Sequence, residues 1–555
     1  MSRRGGQVVV DQLVVHGAEL AFCVPGESYL AVLDAFYDAP IRLVTCRHEA
    51  GAANMADAYG KLTGRPGICL VTRGPGATHA SVGVHTAFQD STPMILLVGQ
   101  VPSAHEEREA FQEVDYRRMF GPMAKWVAQI DRADRIPEYL ARAFSTACAG
   151  RPGPVVLALP EDMLFEETDA EDARPFQLVQ PAARPDRIER LGALLATARR
   201  PFAIVGGGGW TSRAAEDLRV FLEANAIPAG AAFRRQDALD NDSPSYAGDV
   251  GVGLNPKLAA RVREADLVLA VGSRLDEMTT SGYTLLVPPT PSQTLVHVHP
   301  GAEELGRVYQ PELAILSGPE PFAAAVRGLR VEPHWRDWTA AARADYEEWQ
   351  QHGPMAGSLD LGECIAQLRA RVPGDAIVTN GAGNFSAWVH RFWRWHTYPT
   401  QLAPTSGAMG YGVPAAVAAK LVAPERTVVC FSGDGDFLMC GQELATAVQY
   451  ELPMLVLVVN NGMYGTIRMH QERLFPGRVV GTDLVNPDFA AYARAFGAHG
   501  ETVERTEEFA SALDRALEAG RPALLELRTD PEAINPRTTL SAIRAGGWDR
   551  PANTR

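Results

Sequence analysis

The sequence predicts an α/β protein made of several domains with parallel sheets. Short runs rich in β-branched residues alternate with longer segments of helical periodicity, a pattern typical of parallel strands joined by helices. A chain of 555 residues is long enough for several domains that each bury a core. Two polar stretches interrupt the pattern, at residues 166–186 and 353–358, and they divide the chain into three parts.

Composition excludes some classes of function. The net charge is −14 and no basic block occurs, which argues against a nucleic-acid partner. The seven cysteines are dispersed without a CxxC pair, which fits reduced thiols better than disulfides or a zinc site. The pattern indicates neither a signal peptide nor a membrane span, so we expect a cytoplasmic protein without a membrane partner.

The first part, residues 1–165, is expected to form one domain. Its strands are expected at residues 21–24, 41–45, 67–72, 94–98 and 155–159, with helices at 7–17 and 51–62. The second part, residues 186–330, has expected strands at 202–205, 267–271 and 294–298. A charged helix at 336–351 precedes the third part, residues 359–536, and a polar tail is expected after it.

The most informative stretch is residues 426–465. Two apolar runs, residues 427–431 and 454–459, indicate buried strands, and the helical segment 438–450 between them requires the strands to be parallel. The polar clusters Ser-Gly-Asp-Gly-Asp (432–436) and Asn-Asn-Gly (460–462) then leave the carboxyl ends of these strands. Ligands of open α/β sheets bind at that edge.

The residue types in these clusters suit a magnesium ion and a diphosphate. Gly433 and Gly435 allow close approach of the backbone, and the helix start that follows offers N–H groups to an anion. Asp434 and Asn461 supply the oxygen ligands that Mg²⁺ prefers. Taken singly, the first cluster could be a turn with an N-cap aspartate and the second a polar loop.

The pair of clusters resembles the motif of the thiamine-diphosphate-dependent enzymes. Residues 436–459 separate GDG from NN, and the flanking FLMCGQELATA and NNGMYG resemble the large, catalytic subunits of acetolactate synthases. The resemblance implies thiamine diphosphate and Mg²⁺ as cofactors, with Asp434, Asn461 and the carbonyl of Met463 as metal ligands. It also implies three doubly wound domains: pyrimidine-binding (1–165), central (186–330) and diphosphate-binding (359–536). Other cofactor contacts implied here are Gly433, Gly435, Asp436, Tyr464 and Gly465.

Residues 47–79, RHEAGAANMADAYGKLTGRPGICLVTRGPGATH, carry a second part of the resemblance. It implies that Glu49 is the catalytic glutamate that hydrogen-bonds N1′ of the cofactor's aminopyrimidine. That role requires a carboxyl group whose pKa burial has raised. Read without the resemblance, Glu49 could equally be a helix-start acid that interacts with the helix dipole. Pro25, Gly26 and Gly74 are expected beside the cofactor.

Residues 405–420, TSGAMGYGVPAAVAAK, resemble the family segment GTMGYGLPAA. The resemblance implies that Met409 wedges beneath the cofactor and that the backbones of Gly407 and Met409 contact the pyrimidine. Otherwise Met409 would be a core filler in a glycine-rich turn. Asn380 and Gly381, which follow an expected strand, are candidates to contact the diphosphate.

The implied reaction is decarboxylation of a 2-oxo acid such as pyruvate, followed by addition of the remaining fragment to a second carbonyl group. Phe111-Gln112 and Lys125 match the synthases and favour this carboligation, with Gln112 as a catalytic candidate. Glu27 stands where the superfamily's decarboxylases carry an acid or hydroxyl, so it is a further catalytic candidate. Read without the resemblance, Glu27 could equally be a solvated loop glutamate. Because of Glu27, a 2-oxo acid decarboxylase that releases an aldehyde stays an alternative, and a carboligase or lyase for a specialised substrate is another. Arg73 is a candidate to bind a substrate carboxylate.

Two expectations concern other groups. The sequence LVLAVGSRLDEMTTSG keeps Arg274 and Asp276 of the FAD-containing synthases, but Met278 replaces their second arginine, so FAD is doubtful. The resemblance also implies self-association, as a dimer or tetramer, with Glu49 and Asp434 acting from different subunits. A non-enzymatic alternative is a cofactor-binding or regulatory homologue that has lost catalysis.

Overall fold

A computed structural model describes residues 2–353 and 355–546 of the chain. It divides into two compact units, Met1–Arg343 and Ala344–Arg555. The described residues form three sheets of six strands each, two in the first unit and one in the second, and a short two-stranded sheet. Every neighbouring pair in the large sheets is parallel. The predicted α/β class with parallel sheets is therefore confirmed.

The first sheet lies in the N-terminal part of the first unit. Its six strands are β2 (Leu20–Cys23), β3 (Arg42–Thr45), β4 (Gly67–Val71), β5 (Met94–Gln100), β6 (Trp126–Gln129) and β7 (Pro154–Pro160). Two short strands at its ends in sequence, β1 (Arg3–Arg4) and β8 (Glu167–Thr168), form the separate antiparallel sheet. The helices are α1 (Gly5–Val15), α2 (Leu30–Phe36), α3 (Glu49–Thr63), α4 (Gly74–Asp90), α5 (Tyr116–Phe120), α6 (Ile136–Cys148) and α7 (Glu161–Phe165). The strand order is β3-β2-β4-β5-β7-β6. Strands β4, β5 and β7 are buried along their whole length, as expected when helices cover both faces of a sheet.

The second sheet completes the first unit. Its strands are β9 (Pro201–Val205), β10 (Ala229–Ala232), β11 (Tyr246–Val250), β12 (Leu267–Val271), β13 (Thr294–His299) and β14 (Leu313–Leu316). The helices are α8 (Pro185–Thr197), α9 (Ser212–Ala224), α10 (Pro256–Glu264) and α11 (Pro319–Val326), followed by α12 (Arg336–Trp349). The strand order is β11-β10-β9-β12-β13-β14.

The third sheet forms the second unit. Its strands are β15 (Ile377–Asn380), β16 (Gln401–Leu402), β17 (Val428–Gly433), β18 (Leu455–Asn460), β19 (His499–Val503) and β20 (Ala523–Arg528). The helices are α13 (Leu361–Arg369), α14 (Ser386–Phe392), α15 (Gly412–Val422), α16 (Asp434–Cys440), α17 (Leu444–Gln449), α18 (Gly465–Leu474), α19 (Phe489–Ala495), α20 (Thr506–Glu518) and α21 (Leu540–Gly546). The strand order is β16-β15-β17-β18-β20-β19.

Each large sheet has a point at which the direction of strand addition reverses. These switch points lie between β2 and β4, between β9 and β12, and between β15 and β17. The loops that follow the two strands of such a pair diverge and leave a crevice at the carboxyl edge of the sheet. The sequence-predicted loops that begin at Pro25, Arg73, Gly381 and Asp434 all flank a crevice of this kind.

The structure differs from the expected elements in three places. The single helix expected at residues 438–450 is two helices, α16 and α17, because the backbone leaves the helical region at Cys440 and makes a 3₁₀ turn, Gly441–Glu443. The expected strands did not include β1, β6, β8, β10, β11, β14, β16, β19 and β20. Strand β10 reads Ala-Gly-Ala-Ala, without a β-branched residue. Part of the expected polar tail forms α21, whose Arg544 pairs with the buried Glu472. The tail from residue 547 onward lies outside the described residues.

The cysteines are free thiols, as expected, and the described helices lack the character of membrane spans. All seven cysteines are free and buried, as expected for reduced thiols. Among the described residues, no helix combines the length and the apolar character that crossing a membrane requires. Three of the cysteines lie in strands β2, β4 and β17 and three in helices α6, α13 and α16, so they serve as small apolar side chains in the cores.

His299, at the end of β13, links the stability of the first unit to pH. It is 2% exposed, and its Nδ1 accepts a hydrogen bond from the Gly301 N–H at 3.0 Å. Burial, assisted by the neighbouring His297, lowers the pKa of His299 from 6.5 to about 4. The unfolded chain therefore takes up a proton between these pH values and the folded protein does not.

We expect the free energy of unfolding to fall as the pH drops from 6.5 to about 4, with His299 contributing up to about 3 kcal/mol of the loss. The measurement is urea unfolding as a function of pH for the wild type and for His299→Gln, which cannot titrate. The variant should lose stability less steeply over this range, whatever its stability at neutral pH. Equal slopes for the two proteins would contradict the assignment.

Candidate active site

The two polar clusters of the second unit lie side by side, as predicted. Strands β17 and β18 are adjacent and parallel, with Gly433 opposite Val459. The first cluster therefore opens α16 at the carboxyl edge of the sheet, next to the Asn460–Gly462 turn. Because the two strands are neighbours, Asp434 and the Asn460-Asn461 pair lie close together at the ends of β17 and β18.

Asp434 is a buried carboxylate with a fixed orientation. It is 3% exposed. Its Oδ1 accepts from the Gly435 N–H at 2.9 Å, and its Oδ2 accepts from the Gly462 N–H at 2.9 Å. Asn486 Nδ2 donates to the same Oδ2 at 2.7 Å. Burial raises the pKa of Asp434, although these donors oppose the shift. A nearby cation would act in the same direction as the donors, by favouring the charged form.

Asn460, the first asparagine of the pair, supports the Asp434 carboxylate indirectly, through Asn486. Asn486 Nδ2 also donates to Asn460 Oδ1 at 2.9 Å, and Asn460 Nδ2 donates to Glu526 Oε1 at 2.7 Å. Glu526 is 1% exposed. A continuous chain of polar groups thus runs from Glu526 through Asn460 and Asn486 to Asp434. Asn460 belongs to this support, which leaves Asn461 as the ligand candidate of the pair.

The turn after Asn461 is packed closely against the first cluster. Asn461 Oδ1 accepts from the Met463 N–H at 3.2 Å, and the Tyr464 N–H donates to the Thr482 carbonyl at 2.8 Å. A β-carbon added at Gly435 would lie 2.5 Å from the Tyr464 ring, so this position requires glycine. Gly465 begins α18 directly afterwards.

The other sequence-predicted residues of this unit lie around the β15–β17 crevice. Asn380 ends β15 and is fully buried, and its Nδ2 donates to the Gly381 carbonyl at 2.8 Å. Gly407 has a left-handed φ of 70°, and Met409 is half-buried just before α15. Asp436 Oδ1 accepts from the Ala382 N–H at 3.0 Å and from the Gly410 N–H at 2.9 Å. Asp436 is therefore engaged with its neighbouring loops.

Glu49 begins α3, as predicted, and lies beside two histidines, His48 and His79. Its side chain is 12% exposed, and Oε2 is 2.9 Å from Nδ1 of His79 on α4. The His79 ring stacks on His48 with 4.6 Å between centroids. His48 caps α3, because its Nδ1 accepts from the Ala50 N–H at 3.0 Å. Burial, and then the proximity of His79, lowers the pKa of His48.

The first turn of α4 lies against the Glu49 carboxylate. A β-carbon added at Gly76 would be 3.6 Å from Glu49 Oε1. Gly74, at the start of this helix, donates its N–H to the Gln112 carbonyl at 2.9 Å. Gln112 itself has φ of 68°, an unfavourable conformation for a residue with a side chain. The predicted Glu49, Gly74 and Gln112 therefore belong to one region of the first unit.

The loop after β2 reaches the same crevice. Gly26 is packed on Thr72, since an added β-carbon would lie 2.5 Å from the Thr72 β-carbon. Ser28 Oγ and Thr72 Oγ1 are 2.9 Å apart and tie the loops after β2 and β4 together. Pro25 and Glu27 in this loop are both exposed.

Two further specificity candidates are engaged with the protein itself. Arg73 is buried and forms an ion pair with Glu161. Lys125 Nζ donates to the carbonyls of Thr146 and Ala149 at the end of α6, and burial lowers its pKa to about 8. Lys125 therefore caps a helix in the described structure, and Arg73 has a carboxylate partner already.

The glycine-rich loop after β9 is explained by packing. A β-carbon at Gly207 would lie 1.9 Å from the Gly272 carbonyl oxygen, and one at Gly208 would lie 2.2 Å from the Ser91 carbonyl oxygen. Arg274 Nη2 donates to the Gln89 carbonyl at 3.0 Å. These contacts account for the glycines without a nucleotide and give no support to a flavin site.

Sequence reasoning missed two residues of these regions. Asn486 comes from the loop before α19, far along the chain, and the neighbouring Asp488 at the helix N-cap gives that segment an ordinary structural explanation. His79 lies on α4, about a full turn after the Gly-Pro-Gly sequence. Only the packing of α3 against α4 brings it to Glu49, although its position within a glycine-rich cofactor-like segment was an available signal.

Comparison with known proteins agrees with this geometry. Three family models match the chain: the N-terminal TPP binding domain (residues 3–119), the central domain (188–326) and the C-terminal TPP binding domain (381–527) of thiamine pyrophosphate enzymes. Acetolactate synthase isozyme 2 large subunit of Escherichia coli is 33% identical over 529 residues, covering 95% of both chains. Acetolactate synthase of Bacillus subtilis is 29% identical, covering 96% of this chain and 94% of its own.

The chain therefore belongs to the thiamine pyrophosphate enzyme family. The predicted resemblance to large subunits of acetolactate synthases is confirmed over nearly the whole length. An enzyme that depends on thiamine diphosphate is thereby established as the class of protein.

Proposed function

We propose that this enzyme decarboxylates a pyruvate-like 2-oxo acid and joins the remaining fragment to a second carbonyl compound, with Mg²⁺ and thiamine diphosphate as cofactors. The observation that carries the proposal is the full-length similarity to proteins named acetolactate synthases. The domain limits proposed from the sequence, 1–165, 186–330 and 359–536, are kept. Self-association that brings Glu49 of one subunit to Asp434 of another is part of the same proposal.

The donor set around Asp434 suits Mg²⁺. A carboxylate, the Asn461 amide and the Met463 carbonyl are hard oxygen donors, and a diphosphate would supply the others. The cation would also remove the penalty that burial places on charged Asp434. We assign Asp434, Asn461 and Met463 as the metal ligands on these grounds.

The surrounding residues suit the diphosphate and the ring system. Gly433 and Gly435 keep the loop close to its neighbours, because an added β-carbon would meet Phe385 or Tyr464. The N-terminus of α18 at Gly465 offers its first backbone N–H groups to an anion. The half-buried Met409, held between Gly407 and Gly410 with left-handed φ values of 70° and 81°, is suited to support a flat ring. Tyr464, Asn380 and Gly381 complete the proposed cofactor pocket of this unit, and Pro25, Gly26 and Gly74 the proposed pocket of the first.

When bound, thiamine diphosphate supplies the electron sink that makes loss of CO₂ from a 2-oxo acid possible. The protein's part is to hold and move protons. Glu49 would share a proton with N1′ of the aminopyrimidine through one carboxylate oxygen. His79, which lies 2.9 Å from the other oxygen, would fix the orientation of the carboxyl group.

Two residues bear on the choice of product. Gln112 lies close to Gly74 in a conformation that fixes its backbone, which suits a residue that orients an acceptor. Glu27 is exposed in the loop after β2 and could donate a proton instead. The decarboxylase alternative is retained on account of Glu27, and the carboligase is preferred on account of the named relatives.

Asn486→Ala should weaken Mg²⁺ binding by about 10- to 100-fold, as is usual when a partner that orients a metal ligand is lost. The variant removes the Asn486 donor to Asp434 while every proposed ligand remains. The measurement is calorimetric titration of Mg²⁺ into protein with thiamine diphosphate. Asn535→Ala, an asparagine of the same unit beside Met469, is the control and should bind as the wild type does. Equal affinities for all three proteins would contradict the support role of Asn486.

Glu49→Gln should bind thiamine diphosphate but lose at least about 100-fold of its turnover, because an amide cannot exchange the proton. His79→Ala should lower kcat by about tenfold with little change in cofactor affinity, and His79→Asn should recover part of it by donating an amide N–H. Steady-state kinetics and cofactor titration measure these effects. Full turnover of Glu49→Gln would refute the mechanism.

The substrate assignment is tested by incubating the protein with thiamine diphosphate, Mg²⁺ and pyruvate and identifying products by NMR. We expect CO₂ and acetolactate, at a rate that falls on dilution if subunits share the active site. Acetaldehyde as the main product would favour the decarboxylase and direct attention to Glu27. Unreacted pyruvate, with cofactor binding intact, would overturn the donor assignment, and larger 2-oxo acids would then be compared.

A further inference from the structure

We infer that Asp436 is a positioning residue: its carboxylate ties two loops to strand β17 around the proposed cofactor pocket and is not itself a ligand of metal or cofactor. The inference rests on the proposed cofactor site. It concerns the residue two positions after Asp434, which the sequence motif alone does not distinguish from a ligand.

The hydrogen bonds of Asp436 run to the protein. Oδ1 accepts from the Ala382 N–H at 3.0 Å and from the Gly410 N–H at 2.9 Å, while Oδ2 accepts from the Ser432 hydroxyl. The residue is 2% exposed. A carboxylate has about four acceptor positions, so three of them are committed to these donors.

The three donors belong to different parts of the fold. Ala382 follows β15, Ser432 lies within β17, and Gly410 ends the turn that carries Met409 into α15. The bonds therefore span the crevice at the β15–β17 switch point and fix the Met409 turn to its edge. Loss of the carboxylate would free two walls of the proposed pocket at once.

The glycines around Asp436 are fitted to its carboxylate. A β-carbon added at Gly381 would lie 2.0 Å from Asp436 Oδ1, so the loop after β15 approaches this oxygen as closely as a glycine allows. Gly410 has a left-handed φ of 81°, which aims its N–H at the same oxygen. The site is thus built to deliver two backbone N–H groups to one atom.

Charge gives no reason for an acid at this position. A buried carboxylate beside a diphosphate repels it, more strongly at low dielectric than in water. The contribution of Asp436 must then come from the number and direction of its acceptors. An asparagine could keep both backbone bonds through its amide oxygen and turn its NH₂ toward Ser432 Oγ, which can accept.

The experiment compares Asp436→Ala with Asp436→Asn by calorimetric titration of thiamine diphosphate at saturating Mg²⁺. Asp436→Ala should weaken cofactor binding by about 30-fold, since it leaves two N–H groups without their charged acceptor. Asp436→Asn should bind within about threefold of the wild type, or more tightly because a repulsive charge is gone. Ser432→Ala, which removes one bond and leaves both backbone bonds, should also stay within about threefold.

A double-mutant cycle with Gly381→Ala distinguishes loss of the Asp436 hydrogen bonds from a general loss of structure. Gly381→Ala forces a methyl group onto Asp436 Oδ1 and should weaken binding by at least about tenfold in the wild type. In the Asp436→Ala background, where the oxygen is absent, Gly381→Ala should weaken cofactor binding much less. If the two substitutions have independent effects on binding, the inference about Asp436 is wrong.

Hydrogen exchange of the Ala382 and Gly410 amides, measured without cofactor, tests directly whether Asp436 holds these two N–H groups. Both should exchange faster in Asp436→Ala than in the wild type and stay protected in Asp436→Asn. If the wild type does not bind thiamine diphosphate, the proposed function is wrong, and these exchange rates still show whether Asp436 holds the two loops. If Asp436→Asn binds as poorly as Asp436→Ala while remaining protected, the charge is required and Asp436 acts as a ligand.

Discussion

The parallel pairing of strands is the constraint on which the sites of this protein depend. Between two parallel strands the chain must return through a crossover, usually a helix, so all strands of a sheet end at the same edge. The loops that follow neighbouring strands diverge only at a switch point. The three sheets use this opening differently. Hydroxyls of Ser28 and Thr72 bridge it in the first and the Asp436 carboxylate bridges it in the third. In the second, glycines let the loop backbones pack directly.

Satisfying buried polar groups then determines which side chains stay available. A carboxylate as buried as Asp434 would be costly without partners, and the bonds from Gly435, Gly462 and Asn486 offset that cost. The same bonds fix the carboxylate's orientation before a ligand arrives. Asn460 and Glu526 extend the support to the carboxyl-terminal parts of β18 and β20. Stability of the folded chain and preparation of the site are therefore served by the same contacts.

Patterns that are local in the chain could be predicted from the sequence. Strands buried on both faces, such as β5 and β18, are continuous apolar runs, and the position of Asp434 and Asn461 follows from the strands before them. Strand β10 could not be predicted, because its Ala-Gly-Ala-Ala sequence carries no β propensity and only sheet packing makes it a strand. Asn486 and His79 reach their partners through packing between distant segments. The interruption between α16 and α17 likewise depends on how Gly441 packs beneath Phe437.

The three acids on which the proposal depends differ in how completely their oxygens are committed. Glu49 contacts one imidazole and its side chain is 12% exposed, which suits the proton exchange proposed for it. Asp434 is oriented by three donors but raised in pKa, a combination that a cation would relieve. Asp436 accepts hydrogen bonds from two loops and from strand β17, beside the place proposed for the diphosphate. A sequence motif gives all three as acids next to glycine-rich loops. The roles proposed for them differ because their hydrogen bonds differ: Glu49 has a single imidazole partner, Asp434 is oriented by three donors, and Asp436 is bonded to two loops and a strand.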